Sequence, residues 1–211
     1  MSLEMLEKLQ MDVESRTIYL MDDIDKSMKY RLAVCMSFLD KYNGDINVYI
    51  NSGGGCLVSS LAMFDIIKSC KNTVNGYVVG EACSGASLIL QACDNRYISK
   101  HSSVMIHYGT HGMPHDIPKN NENLLGYYHS LQSDMIKIYK SKMKLGNKKI
   151  TAKHLAELLS YDTWFRAKSA VEYGLVDGIS MPKFEPYEYD VGTPEVEDAE
   201  LEAIMAKLGI Q

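Results

Sequence analysis

The run Ile46-Asn47-Val48-Tyr49-Ile50-Asn51-Ser52-Gly53-Gly54-Gly55 sets the reading of the whole chain. Its first five residues alternate as a short strand does, and the chain then enters three consecutive glycines. Leu57 to Ser69 follows with apolar residues at Leu57, Leu61, Phe64 and Ile67, a helical period. Strand, glycine turn and helix make half of a βαβ unit, and the pattern recurs on both sides. Upstream, Arg16 to Met21 reads as a strand and Lys26 to Tyr42 as a helix with Met28, Leu32, Cys35, Met36 and Leu39 on one face, stopped by Asn43-Gly44. Downstream, Thr73 to Val79 reads as a strand with a turn at Gly80, and Ser84 to Cys93 as a short buried helix. Arg96 to Ser99 and Val104 to Ile106 are two more strands. Alternation of this kind predicts an α/β fold with a largely parallel sheet.

A loop rich in Gly, Pro and His spans Gly109 to Lys119. Beyond it, Asn123 to Leu145 reads as a long helix with Leu124, Tyr128, Leu131, Met135 and Ile138 on one stripe. Spacing by alternating fours and threes suits packing against another helix, and a long helix projecting from an α/β body invites a subunit contact. Thr151 caps a helix through Leu159, and Ala167 to Tyr173 forms the last helix of the body. From Glu185 onward there are eight acidic residues against one lysine, which leaves the rest of the chain close to neutral. That balance gives no support for nucleic-acid binding, and the tail reads as a solvated or partner-docking appendage with Leu201, Ile204, Met205 and Leu208 on one face. The organisation expected is an N-terminal segment 1–14, one domain over 15–182 and an acidic tail 183–211.

With 211 residues, 46% hydrophobic and 23% charged, the chain has enough apolar material for a sizeable core. No apolar run is long enough to span a bilayer and the N-terminus lacks a signal-peptide pattern, so a cytoplasmic protein without membrane contact is expected. Five cysteines without a Cys-x-x-Cys pair read as free thiols.

Two glycine-containing segments follow strands: Asn51 to Gly55, and Gly80-Glu81-Ala82-Cys83-Ser84-Gly85-Ala86. Side by side, they would aim two backbone N–H donors at one oxygen, the arrangement of an oxyanion hole, with Ser84 presented at a helix N-terminus. Two tight turns of an α/β fold explain the same glycines equally well. The flanks of Ser84 are Ala82 and Ala86, so this is not the Gly-x-Ser-x-Gly elbow. There is also no Gly-x-x-x-x-Gly-Lys-Ser/Thr phosphate loop. Among six histidines, His107 is best placed as a base because it ends the apolar strand Val104-Met105-Ile106. His111 and His115 continue a four-residue spacing from His107 that would suit a metal on a helix, but Gly109, Gly112 and Pro114 break one. The acid that would orient His107 is either Asp162 or Asp177, and spacing does not choose between them.

Four ordered blocks carry a resemblance to a known family. They are Tyr49 to Gly55, Gly80 to Ala86, Val104 to His107, and Asp162 followed by Ala170-Val171-Glu172-Tyr173-Gly174-Leu175-Val176-Asp177. The chain from about Ile18 to Ile179 resembles the Clp protease proteolytic subunit, within the superfamily that also holds the crotonases. The resemblance implies a ClpP/crotonase-like fold, a superhelix of repeated ββα units with a projecting handle helix at about 120–146. It also implies a serine endopeptidase in which Ser84 is the nucleophile, His107 the base and Asp162 the acid, with the backbone N–H groups of Gly54 and Gly85 as oxyanion donors. No cofactor or metal is implied; ATP would be used only by a separate AAA+ unfoldase. The partners implied are further copies of the chain in stacked rings and a peptide or unfolded protein as substrate. Departures are Gly53 where the family has Pro, Gly85 where it has Met and Ala86 where it has Gly. A shorter N-terminal stretch puts unfoldase docking in question, and the divergence suits an accessory or virus-encoded member. Rival readings are a catalytically impaired ring subunit acting as scaffold or regulator, and a crotonase-type acyl-CoA enzyme, which needs no Ser–His–Asp set. Signal-peptide peptidases use a Ser–Lys pair and an anchor, and match less well.

Overall fold

Hydrophobic alternation in Thr17-Ile18-Tyr19-Leu20 starts the architecture. The structure, a computed structural model, describes residues 8–109, 118–146 and 149–181. A two-residue β1 (Met11–Asp12) pairs antiparallel with β2 (Thr17–Leu20). The chain then winds through α1 (Lys26–Leu39), β3 (Ile46–Ser52), α2 (Leu57–Lys68), β4 (Val74–Cys83), α3 (Gly85–Ala92), β5 (Asn95–Ile98) and β6 (Ser103–Ile106). It ends with α4 (Pro118–Met143), α5 (Ala152–Leu159), β7 (Thr163–Arg166), α6 (Ala167–Glu172) and β8 (Gly178–Ile179). The sheet runs β1-β2-β3-β4-β5-β8, with β6 on β4 and β7 on β6. All pairings are parallel except β1–β2 and β6–β7, so the α/β expectation with a mostly parallel sheet holds.

Each helix forms where the sequence gives it a buried stripe and a stop. The α1 face predicted from periodicity is buried at all five positions, and Asp25 caps the helix by accepting the Met28 N–H at 2.7 Å. α3 is buried along its whole length between sheet and helices. A ladder of tyrosines fixes the register of the central strands: Tyr19, Tyr49, Tyr77 and Tyr97 are direct cross-strand partners. Their rings stack with centroids 5.6, 5.4 and 5.3 Å apart, favourable aromatic pairs on one face of the sheet.

Three readings need correction. Gly80 does not end its strand: β4 bends there at φ +106° and continues to Cys83. A side chain at Gly80 would meet Asn51 Oδ1 at 2.3 Å, and that same oxygen accepts the Glu81 N–H while Ser102 Oγ accepts the Gly80 N–H. Braced on both sides, β4 pairs with β5 before the bend, with β6 after it and with β3 on both sides of it, the β3 register shifting between Ile50 and Ser52. Next, the buried face of α2 is Ser59, Ser60, Met63 and Ile67, with Leu57, Leu61 and Phe64 only partly buried. The reason is close approach: Ser60 lies against Gly85, where an added Cβ would meet its Oγ at 2.2 Å. In α4 the buried residues are Met135, Tyr139 and Met143, whereas Leu124, Tyr128 and Leu131 are partly exposed, which leaves that part of the stripe open for the subunit contact expected of it. Finally, β1, β7 and β8 escape the sequence reading, being short strands whose partners are distant or flanked by turns. The acidic tail and most of the Gly109–Lys119 loop, with His111 and His115, lie outside the described residues. Among the described residues no helix is long and apolar enough to cross a membrane.

Candidate active site

Strand register brings the site together. Cys83 of β4 pairs with Met105 of β6, so the two parallel strands release Ser84 and His107 at neighbouring carboxyl ends. Ile106 pairs with Thr163 across the antiparallel β6–β7 ladder, which sets His107 beside Asp162. The result is a hydrogen-bonded chain: His107 Nδ1 to Asp162 Oδ1 at 2.7 Å and His107 Nε2 to Ser84 Oγ at 2.8 Å. A carboxylate can only accept, so Nδ1 carries the proton in neutral imidazole and Nε2 is left to accept from the Ser84 hydroxyl. The imidazole is 23% exposed and the Asp162 carboxylate 68% exposed.

Ser84 sits between β4 and α3 at φ +52°, ψ −120°, one of three non-glycine residues with positive φ among those described. Such a conformation costs about 1–3 kcal/mol and persists only where the surroundings enforce it. The Ser84 N–H donates to Met105 O at 2.9 Å, extending the β4–β6 ladder one step and committing the turn. The hydroxyl is thereby thrown out of the sheet at the start of a helix, the geometry of a nucleophile elbow without its usual glycine pattern.

The two expected oxyanion donors differ. Gly85 is the first residue of α3, so its N–H has no intrahelical acceptor. The Gly54 N–H donates to Ser52 Oγ at 3.1 Å, and Ser52 Oγ donates to Asp22 O at 2.6 Å. Gly54 nevertheless abuts the turn at Ser84: a Cβ there would lie 2.5 Å from Cys83 O and 2.8 Å from Ser84 Cβ.

A cleft of about 370 Å³ opens over Ser84 and His107, walled by Leu57, Val58, Leu88, Met105, Tyr128 and Met135. Gly53 borders this cleft and also a more open one of about 520 Å³ lined by Asp22, Asp23, Asp25 and Glu81, which contains no member of the Ser84 chain. Burial pushes the Cys83 thiol up to about 12, with the Glu81 carboxylate adding to the effect, so it stays protonated at neutral pH. Among the described residues no group of three or more His, Cys, Asp and Glu is arranged to hold a metal ion.

The second acid has another partner. Asp177 accepts from the Arg96 backbone N–H at 2.8 Å and from its guanidinium at 2.5 and 3.1 Å. Arg96 is 1% exposed and also binds Gln91 Oε1 and Gly174 O. Asp177→Ala would strand that buried cation, and a loss of about 2–4 kcal/mol in unfolding free energy is expected, reduced from the fully buried case by the partial exposure of Asp177. Urea denaturation checks it; the Ser84–His107 geometry, far along the chain in β4 and β6, is expected to survive.

Residues that the sequence reading did not single out also bear on the site: Ser52 behind Gly54, and Ser87 and Tyr139 behind Ser84. A polar residue in a wholly buried helix needs a partner, and that was the available signal for Ser87.

Comparison with known proteins gives the family. A family model described as Clp protease matches residues 3–183. The chain is also 29% identical over 195 residues to the ATP-dependent Clp protease proteolytic subunit 1 of Rhodopirellula baltica, covering 89% of this chain and 78% of that protein. With residues 3–183 matched, most of its length, the chain belongs to the Clp protease family.

Proposed function

We propose that the protein is a serine endopeptidase in which Ser84 attacks the substrate carbonyl, His107 moves the proton and Asp162 orients His107. The observation that carries this reading is the continuous hydrogen-bonded chain from Asp162 through His107 to Ser84, at 2.7 and 2.8 Å. Attack forms the bond from Ser84 Oγ to the carbonyl carbon as His107 Nε2 takes the hydroxyl proton; His107 then returns that proton to the leaving amine as the peptide C–N bond breaks. Water, deprotonated by the same imidazole, releases the acyl group and restores Ser84. The Gly85 N–H is the donor for the tetrahedral oxyanion, joined by the Gly54 N–H once it leaves Ser52. The apolar wall of the cleft favours an apolar side chain next to the scissile bond.

By analogy with the family, further copies of the chain assemble into stacked rings around a chamber, with the exposed turns of α4 as contact surface and a separate ATP-driven unfoldase supplying folded substrates. The alternative, a ring subunit kept as a scaffold, draws on one observation, the engagement of the Gly54 N–H by Ser52.

A fluorophosphonate probe read by intact mass separates the two. One adduct per chain is expected in wild type and in Cys83→Ala, and none in Ser84→Ala. Absence of an adduct in every assembled form would overturn the peptidase reading and leave the scaffold. The exposed Cys56 thiol, which burial raises but N–H bonds from Ser59 and Val58 bring to a net value below the ordinary one, is the side reaction to exclude.

A further inference from the structure

Behind the nucleophile lies a buried relay that the reaction chemistry does not use. Ser87 Oγ lies 2.6 Å from the Ser84 carbonyl oxygen and 2.5 Å from the Tyr139 hydroxyl. Ser87 is 0% and Tyr139 1% exposed. Proton assignment follows from the partners. A carbonyl cannot donate, so Ser87 gives its single proton to Ser84 O, and Tyr139 must donate to Ser87. Burial, partly offset by the bond to Ser87, holds the Tyr139 phenol above its ordinary value, which keeps that donor protonated.

The carbonyl that receives this relay is one side of the Ser84–Gly85 peptide group; the N–H of Gly85 is the other. The group is planar and rigid, so fixing its C=O fixes the direction of its N–H. A hydrogen bond to the carbonyl also polarises the N–H on the opposite side and strengthens it as a donor. The same peptide follows the strained Ser84 conformation, which other rotations of the group would relax.

We propose that Ser87, backed by Tyr139 of α4, is a positioning residue that orients and polarises the Gly85 N–H as oxyanion donor. The proposal rests on the peptidase reading for its kinetic consequence, and on the hydrogen-bond geometry alone for its structural one. Because the relay acts on the tetrahedral state, it bears on kcat and not on KM. The Ser87 N–H also reaches Ser84 O, at 3.0 Å, and stays in place when the side chain is removed. The effect is therefore smaller than deleting a donor outright: about tenfold rather than the 10²–10³-fold typical of that deletion.

The test uses the assembled full-length protein as Ser87→Ala, Tyr139→Phe and the double variant. Turnover of a fluorogenic peptide is measured across pH, and the Ser84–Gly85 peptide is seen directly in crystals. Expected are a kcat loss of about tenfold in Ser87→Ala and about threefold in Tyr139→Phe, with KM and the pH profile unchanged. Because Tyr139 acts through Ser87, the double variant should be no slower than Ser87→Ala. It also removes both hydroxyls together, leaving no orphaned group, and so keeps the test open if Ser87→Ala is unstable. A kcat within twofold of wild type in folded Ser87→Ala, or losses that multiply in the double variant, would overturn the proposal. If wild type turns over no peptide and takes no fluorophosphonate, the peptidase reading fails separately. The crystals then decide: a rotated Ser84–Gly85 peptide in Ser87→Ala supports the positioning role, and an unmoved one rejects it.

Discussion

Replacing His107 by Ala is expected to lower kcat/KM on a fluorogenic peptide by about 10⁴–10⁶-fold, to the level of Ser84→Ala. The two losses should be alike because the residues act as one unit. Without Nε2 at 2.8 Å the serine hydroxyl has no acceptor for its proton, and without the hydroxyl the base has nothing to activate. The Ser84→Ala/His107→Ala double variant is accordingly expected to be no slower than either single change. Asp162→Asn should do less, about 10²–10³-fold. An amide can still bond Nδ1, but it favours the wrong tautomer, and the exposed carboxylate is already shared with solvent. A loss in Asp162→Asn as large as that in His107→Ala would mean that the acid is covered in the working assembly. A His107→Ala enzyme retaining more than about a hundredth of wild-type activity would contradict the assigned role.

The second large effect is expected from one added methyl group. Gly54→Ala places a Cβ against the turn at Ser84, 2.5 Å from Cys83 O, 2.8 Å from Ser84 Cβ and 2.9 Å from Gly85 N. Backbone cannot swing aside as a side-chain tip can, and Gly54 also has φ +95°, where alanine is strained regardless of space. A destabilisation of about 2–4 kcal/mol is expected, with activity down at least about 100-fold as the turn around Ser84 is displaced. Gly53→Ala is the control. Its nearest neighbour would be Glu81 Oε1 at 3.9 Å and its φ is outside the left-handed region, so stability and turnover should stay near wild type. Urea midpoints and kcat for the pair give the answer. Equal behaviour of the two variants would mean that the loop yields more than its contacts suggest.

How far the sequence carried the fold depended on whether the deciding contact was local. The α1 face was legible because burial followed a simple period of apolar residues. The α2 face was not, since close approach to Gly85 required Ser60 where hydrophobicity pointed to Leu61. Glycine ordinarily punctuates a strand, and nothing near Gly80 in sequence announces that Asn51 and Ser102 carry the strand through its bend. The site divides along the same line. Ser84 and His107 were readable from strand ends, whereas the choice between Asp162 and Asp177 turned on the pairing of Ile106 with Thr163, a contact 57 residues apart in the chain. Resemblance supplied that choice; pattern did not. Ser87 left a faint signal as a polar residue in an apolar helix, whereas Tyr139 looked like an ordinary member of an amphipathic one, and only its hydrogen bond to Ser87 distinguishes it.

The antiparallel partner that sets Asp162 beside His107 also bears the chain's single tryptophan. Trp164 stands two residues beyond Asp162, opposite Met105, and is 55% exposed. Tryptophan emission, excited beyond the absorption of the 14 tyrosines, is thus a one-channel readout of the strand that follows Asp162. Water contact sets its colour, and a neighbouring subunit or bound peptide that covers β7 changes that contact without any label being attached. Assembly and occupancy of the cleft can be followed by light from the corner where the proposed chemistry takes place.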